Sequence, residues 1–189
     1  GARQGRQFTY ALLDIRAPRG RTLERDEALA ELAARYFASR GPATVQDFAK
    51  WSGLTVADAR AGLEDVRADL QSRVVGNRTY WCRPSHPARN ESRSAHLLSI
   101  YDEYISGYRD RSAIVASEHG KKLVGMGNAL TSVIVVDGQI VGTWRRVLGP
   151  KSVRVETRFF ERPARASERA VGAETRRYAA FLERPLERG

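Results

Sequence analysis

Apolar positions along the chain recur with two periods. Between Leu23 and Arg40, Leu29, Leu32, Ala33, Tyr36 and Phe37 fall three and four apart, which predicts a helix with one buried face. Asp26 and Glu27 occupy its first turn, and Arg40-Gly41-Pro42 stops it. Val56, Ala59, Leu63, Val66 and Leu70 repeat at the same spacing and predict a second long helix over Thr55–Asp69. Further on the period falls to two. Val133–Val136 and Gln139–Trp144 flank Asp137-Gly138, a pair that favours a tight hairpin turn. In Ser152–Phe160, apolar Val153, Val155 and Phe159 alternate with Arg154, Glu156 and Arg158, which predicts a third strand. Ser167–Glu183 returns to helical spacing, with Ala170, Val171, Tyr178, Ala179, Phe181 and Leu182 available for burial.

The stretch between the first two helices is the most informative. Thr44 and Thr55 stand eleven residues apart, and each is followed at the third position by an acid, Asp47 and Asp58. A threonine oxygen there can accept an orphan amide of the first helical turn, and the acid favours the positive end of the helix. Gly53 is placed to end the first short helix in the left-handed conformation. This is the layout of a helix-turn-helix. Directly after it, Arg73-Val74-Val75 and Arg78-Thr79-Tyr80-Trp81 flank Gly76-Asn77 and predict a basic hairpin. A helix-turn-helix followed by such a hairpin is a winged helix.

The fold class expected is α+β: a winged helix-turn-helix followed by a second, winged-helix-like α+β unit of antiparallel hairpins with a three-stranded core. Residues 1–22 form an N-terminal segment in which Phe8–Ile15 fits a strand or a docking segment and Ala17–Gly20 a turn. The winged unit covers 23–83. The polar, proline-containing stretch 84–94 is a linker, and 95–189 is the second unit. Within it, His96–Arg111 fits a short strand or helix leading to an ordered loop, Ile114–Lys122 a short helix, and Met126-Gly127-Asn128 a turn.

Charge sharpens the picture. The net charge is +10 over 189 residues, and it is unevenly spread. Residues 1–22 carry five arginines against one acid, and residues 71–93 again five against one, whereas 23–70 carry six bases against nine acids. Basic loops and hairpins alternating with mildly acidic helices favour a polyanion, most simply nucleic acid. No apolar run approaches the ~20 residues that span a bilayer. The single cysteine, Cys82, makes no internal disulfide, which is consistent with a reducing cytoplasm. The three histidines, His86, His96 and His119, are scattered and read as structural, so no metal site is expected.

Double-stranded DNA is the expected partner, without a membrane, a metal or a small-molecule cofactor. Candidate contacts are Arg60 and Arg67 on the second helix of the helix-turn-helix, and Arg73 and Arg78 on the wing. That helix also carries Asp58, Glu64, Asp65 and Asp69 and is a poor phosphate neighbour, so the wing and the second hairpin are electrostatically easier. Trp51, Trp81 and Trp144 read as core packing rather than base-stacking platforms. Tyr101–Tyr104 and Tyr108–Arg111 are suited to ordering a loop through ion pairs. Asp102 and Glu103 are adjacent and diverge in regular structure, so they form no acid–base pair. No Ser/His/Asp or Cys/His arrangement and no phosphate-cradling glycine loop is present.

Three blocks, RTLERDEALAELAARYFASRGPATVQDFAKWSGLTVADARAGL, YDEYISGYRDR and VIVVDGQIVGTWRR, resemble in order the bacterial winged-helix DNA glycosylases. The resemblance covers most of residues 20–160 and continues to the C-terminal helix. It implies tandem winged-helix units around a DNA channel and a β-hairpin that touches DNA near the lesion. That hairpin corresponds to Val133–Arg146, with Gln139, Arg145 and Arg146 as its DNA contacts. The resemblance also implies catalysis by a Gln-x-Gln or Gln-x-Asp pair in the family's N-terminal third. Neither motif occurs here: Gln4 and Gln7 are three apart, and Gln46 directly precedes Asp47. No catalytic residue is therefore assigned, and the chain is expected to be the C-terminal part of a larger cytoplasmic, nucleoid-associated glycosylase acting on alkylated or crosslinked purines. The alternatives are a non-catalytic winged-helix regulator or architectural DNA-binding protein, and a protein-interaction scaffold.

Overall fold

The computed structural model describes residues 1–5, 7–16, 21–84, 94–116, 118–121 and 131–187. Most of the predicted linker, the turns at 17–20 and 126–128, and His86 lie outside these residues. The architecture is mixed helix and sheet, and both sheets are antiparallel. Leu13–Arg16 (α1) is a single helical turn, and residues 8–12 have no regular structure, so no strand forms there. Phe8, Tyr10, Leu12, Leu13 and Ile15 are exposed.

Helices α2 (Arg25–Arg40), α3 (Val45–Ser52) and α4 (Val56–Val66) form the first core with the two-stranded hairpin β1 (Gln71–Val75) and β2 (Arg78–Cys82). The apolar stripe of α2 buries Leu29, Ala33, Tyr36 and Phe37. Tyr36, Phe37 and Phe48 pack ring against ring, with centroids 4.9–5.6 Å apart. The first turn of α3 carries a complete capping box: Thr44 Oγ1 accepts from Asp47 N, and an Asp47 carboxylate oxygen accepts from Thr44 N. Gly53 ends α3 at φ 74, in the left-handed region. Thr55 caps α4 in the same manner, but Asp58 turns away to pair with Arg25 at 2.5 Å. The expected helix over 55–69 ends early, as α4 gives way to a 3-10 turn at Arg67–Asp69. Val56, the first residue of the predicted stripe, is 43% exposed because it precedes the part of α4 that α2 covers. The hairpin joins this core where Trp81 and Ala43 exchange backbone hydrogen bonds of 2.8 and 3.0 Å.

The second half is a four-stranded sheet in the order β3 (Ala95–Leu98), β4 (Val133–Val136), β5 (Gln139–Leu148), β6 (Val153–Phe159). The three-stranded core expected gains β3, which pairs with β4 from Ala95↔Val136 to Leu98↔Val133. Asp137 and Gly138 both take positive φ, 49 and 76, as the tight turn requires. All four residues of β4 are buried. Val133 and Val135 face Ile105 and Val115, whereas Ile134 and Val136 face Val171 of α6 (Arg165–Phe181). A strand covered on both sides reads as an unbroken apolar run, which accounts for the sequence VIVV. Phe181, expected to be buried, is 80% exposed at the end of α6. Beyond α6, Val153 donates to Pro185 O and accepts from Glu187 N, closing one end of the β6 edge.

The halves meet through residues 102–110, which include the short helix α5 (Glu103–Ser106). Tyr108 packs on the first core, and its hydroxyl donates to Arg40 O at 2.8 Å. Lys50 Nζ donates to the carbonyls of Ser106 and Tyr108, both at 3.0 Å. The ordered loop expected from this stretch is thus the strap between the two cores.

Candidate nucleic-acid interface

An open cleft of about 660 Å³ lies between the start of α3, α4, the β1–β2 hairpin and the strap. Arg60 enters it from α4, Arg78 and Asn77 from the hairpin, and Arg109 from the strap. Its acid side is Asp47, Glu64 and Asp110. Asp47 is 4% exposed and engaged within the fold: Thr44 N, Thr44 Oγ1 and Arg109 N donate to it at 2.9, 2.7 and 2.7 Å. A carboxylate holding three donors from its own fold is a positioning element. Asp110 accepts from Ser112 N at 2.9 Å and pairs with Arg78. The Ser112 amide, then the Ser112 hydroxyl, and after them the Arg78 guanidinium hold the Asp110 carboxyl below its ordinary value. Arg78 in turn is held more strongly protonated, first by its hydrogen bond with Tyr80 and then by Asp110.

Of the remaining residues singled out in the sequence, Arg67 lies outside the cleft lining. It stacks over Trp81 at 5.3 Å and pairs with Glu64 at 3.1 Å. Arg73 stands exposed on β1, directly across from Tyr80. The second hairpin is engaged within the fold. Gln139 Nε2 donates to Ala113 O at 2.8 Å, Arg145 Nε to Glu156 at 2.5 Å, and Arg146 to the Tyr178 hydroxyl at 2.7 Å. Arg145 and Arg146 are neighbours on one strand and so point to opposite faces of the sheet. Both are exposed, and each guanidinium keeps donors beyond the bond named. Trp81 and Trp144 are buried, and Trp144 Nε1 donates to Leu98 O at 2.8 Å, in keeping with packing roles.

Sequence reasoning missed Arg109 as a cleft residue. The only signal was the mixture of aromatics and paired charges in YDEYISGYRDR, and the cleft forms only when the strap docks against α3. A second junction lies beside it. Arg40 stacks over Trp51 at 4.6 Å and pairs with Glu103, to which Trp51 Nε1 also donates at 3.4 Å. The hydrogen bond with Arg40 pulls the Glu103 carboxyl below its ordinary value; burial opposes it, and Trp51 adds a lesser pull. Burial lowers Lys50 and raises Tyr108, as expected for groups at a closed seam. Elsewhere, Glu118, His119 and Glu161 bring their donor atoms within 4.8 Å of one another, a convergence that scattered histidines in the sequence do not reveal. His119 Nε2 is 3.1 Å from Glu161 and its ring stacks on Phe160, while both carboxylates are exposed. Among the described residues, no helix is long and apolar enough to cross a membrane.

A protein-family model described as DNA glycosylase AlkZ-like matches residues 1–181. The chain is 26% identical to an interstrand DNA cross-link repair glycosylase of Streptomyces sahachiroi, over 91% of this chain and 51% of that protein. Among solved structures it is similar to the Streptomyces sahachiroi DNA glycosylase AlkZ, with a TM-score of 0.64 and 24% identity over 89% of this chain and 47% of that one. At that identity the structural likeness speaks for the fold. The chain spans about half the length of both relatives.

Proposed function

The chain belongs to the AlkZ-like DNA glycosylase family, and we propose that it is a duplex-binding portion of such an enzyme, built on a winged helix-turn-helix over about 23–83 and a second α+β unit over about 95–189. The observation that carries this reading is the convergence of Arg60, Arg78 and Arg109, from three separate elements, on one cleft. Guanidiniums spaced along a groove neutralise phosphates and release counterions, a contribution that every duplex sequence shares. The capped α3, the left-handed Gly53, α4 and the tight hairpin support the winged-helix assignment.

In this reading the whole enzyme hydrolyses the N-glycosidic bond of alkylated or crosslinked purines at the chromosome. Water adds at the sugar C1′ as the base departs. The residues described here hold the duplex, and none is assigned to the bond-breaking step. The alternative is a non-catalytic winged-helix regulator; the lack of Gln-x-Gln and Gln-x-Asp within residues 1–189 is common to both readings.

The test is base release from 7-methylguanine DNA and from a crosslinked duplex, by the full-length gene product and by the 189-residue chain. Release by the full-length product, with salt-sensitive duplex binding by the chain, is the expected result. Silence from both with binding intact selects the regulator. Binding that does not respond to salt overturns both readings.

A further inference from the structure

Glu118, His119 and Glu161 lie outside the cleft lining and come from two segments. Glu118 and His119 stand on a helical turn at 118–121, and Glu161 on the connection between β6 and α6. Phe160 ties that connection to the sheet. Its N–H donates to Val141 O at 2.9 Å, and its side chain packs on the core cluster that contains Val133 and Ile140. The His119 ring lies against Phe160 with centroids 4.9 Å apart, and its side chain is only 13% exposed. Packing thus orients the imidazole before any ligand arrives.

The donor atoms suit coordination of one ion. Two protein ligands at about 2.0–2.2 Å from a metal stand roughly 2.8–3.6 Å from each other, between octahedral and tetrahedral angles. His119 Nε2 and Glu161 Oε1 are 3.1 Å apart. A carboxylate oxygen of Glu118 lies within 4.8 Å of both, a gap that a rotamer change of this exposed side chain closes. Two carboxylates gathered without a cation repel one another, and with a neutral imidazole they carry the charge that a divalent ion cancels. The nitrogen donor selects among such ions. Magnesium and calcium take oxygen ligands, whereas imidazole suits zinc and its first-row neighbours. A cavity of about 380 Å³ opens on the three side chains and is lined also by Gln139, Arg162 and Ser167. Three protein ligands leave a zinc ion a further position for water, and the cavity has room for it.

We propose that Glu118, His119 and Glu161 bind a divalent first-row transition ion, with zinc as the simplest occupant. The ion clips the turn at 118–121 to the β6–α6 connection. This site stands or falls independently of the duplex-binding reading. The competing account is an ion pair between a protonated His119 and the glutamates, with no affinity for metal.

The test is calorimetric titration of chelator-treated protein with zinc chloride, with cobalt(II) as a visible-absorption probe of nitrogen and oxygen ligation. Binding of one equivalent, with a rise in melting temperature, is expected. The double change Glu118→Gln/Glu161→Gln, at two exposed positions that leave folding intact, should weaken zinc binding at least about tenfold. Even a partner that only orients a metal ligand costs that much. Glu31→Gln, on α2, should leave the affinity unchanged. Failure to bind zinc, or zinc binding that survives the double change, overturns the site and selects the ion pair.

Discussion

The carboxylate of Asp47 accepts the backbone N–H of Arg109 at 2.7 Å, so the group that caps α3 also anchors the strap that closes the cleft. Asp47→Ala removes both functions and strands three donors, two of them buried. The loss should be roughly 2–4 kcal/mol, above the ~1 kcal/mol of an ordinary cap, because each unsatisfied donor keeps its desolvation cost. Urea unfolding of the variant beside Thr55→Ala, which removes a cap alone, checks the difference. Equal losses would mean that the Arg109 contact contributes nothing.

The strap should loosen in acid. The Glu103 and Asp110 carboxyls are both held below their ordinary values, first by Arg40 and by the Ser112 amide respectively. A depressed folded pKa adds stability that is fully present above the unfolded value of about 4 and is lost as pH falls through the folded value. Both groups are largely exposed, so solvent screening keeps the effect small. Thermal unfolding of wild type and Glu103→Gln from pH 7 down to pH 2 should show curves that separate at neutral pH and converge in acid. Parallel curves throughout would remove Glu103 from the linkage.

Removing cleft arginines should weaken DNA binding through the electrostatic contribution. Arg60→Ala and Arg109→Ala are each expected to reduce the slope of log affinity against log salt by up to about 0.9, the value for one phosphate. Arg146→Ala, which breaks a bond to Tyr178, should leave the slope unchanged. Titrations between 50 and 200 mM salt, a range over which several phosphate contacts cost orders of magnitude, measure this. Equal slopes in Arg60→Ala, Arg109→Ala and wild type would place the DNA elsewhere.

Gly62 lies within α4, where alanine ordinarily gains about 1 kcal/mol over glycine. A Cβ there would stand 2.5 Å from the Leu29 carbonyl oxygen of α2, and that atom is backbone. Overpacking of a tight contact costs about 1–3 kcal/mol, so the clash outweighs the propensity and Gly62→Ala should destabilise. Gly172, in α6, has only the far end of an arginine side chain within reach, and alanine there should stabilise by a few tenths to about 1 kcal/mol. Circular dichroism melts of the two variants should move in opposite directions. A rise in both would show that α2 and α4 yield easily.

The elements legible in the sequence are those whose signal is local. The Thr44–Asp47 box, Gly53, Gly76-Asn77 and Asp137-Gly138 depend on contacts within a few residues, and the structure places each where its spacing predicts. What escaped depends on docking. Strand β3 is four residues long and contains His96; its sequence fits a strand or a helix, and only pairing with β4, far along the chain, decides for the strand. Val56 and Phe181 satisfy helical periodicity yet are exposed, because periodicity identifies a face and not how far the partner extends along it. The cleft joins Arg60, Arg78 and Arg109 only through tertiary contact. Gln139, Arg145 and Arg146 were legible as polar residues on a hairpin, while their partners Ala113, Glu156 and Tyr178 were not.

The bond pair between Val153 and the segment Pro185–Glu187 covers part of a sheet edge. Strand β6 is the outer strand of its sheet, and an outer strand offers its backbone to any neighbouring molecule. The tail occupies the end where Val153 is buried, and Arg154, Glu156 and Arg158 place charge along the remainder. Removing residues 185–187 would take away no buried core side chain, yet it would uncover the Val153 end of β6. Loss of that cover is expected to show as light scattering at high concentration rather than as a change in melting temperature.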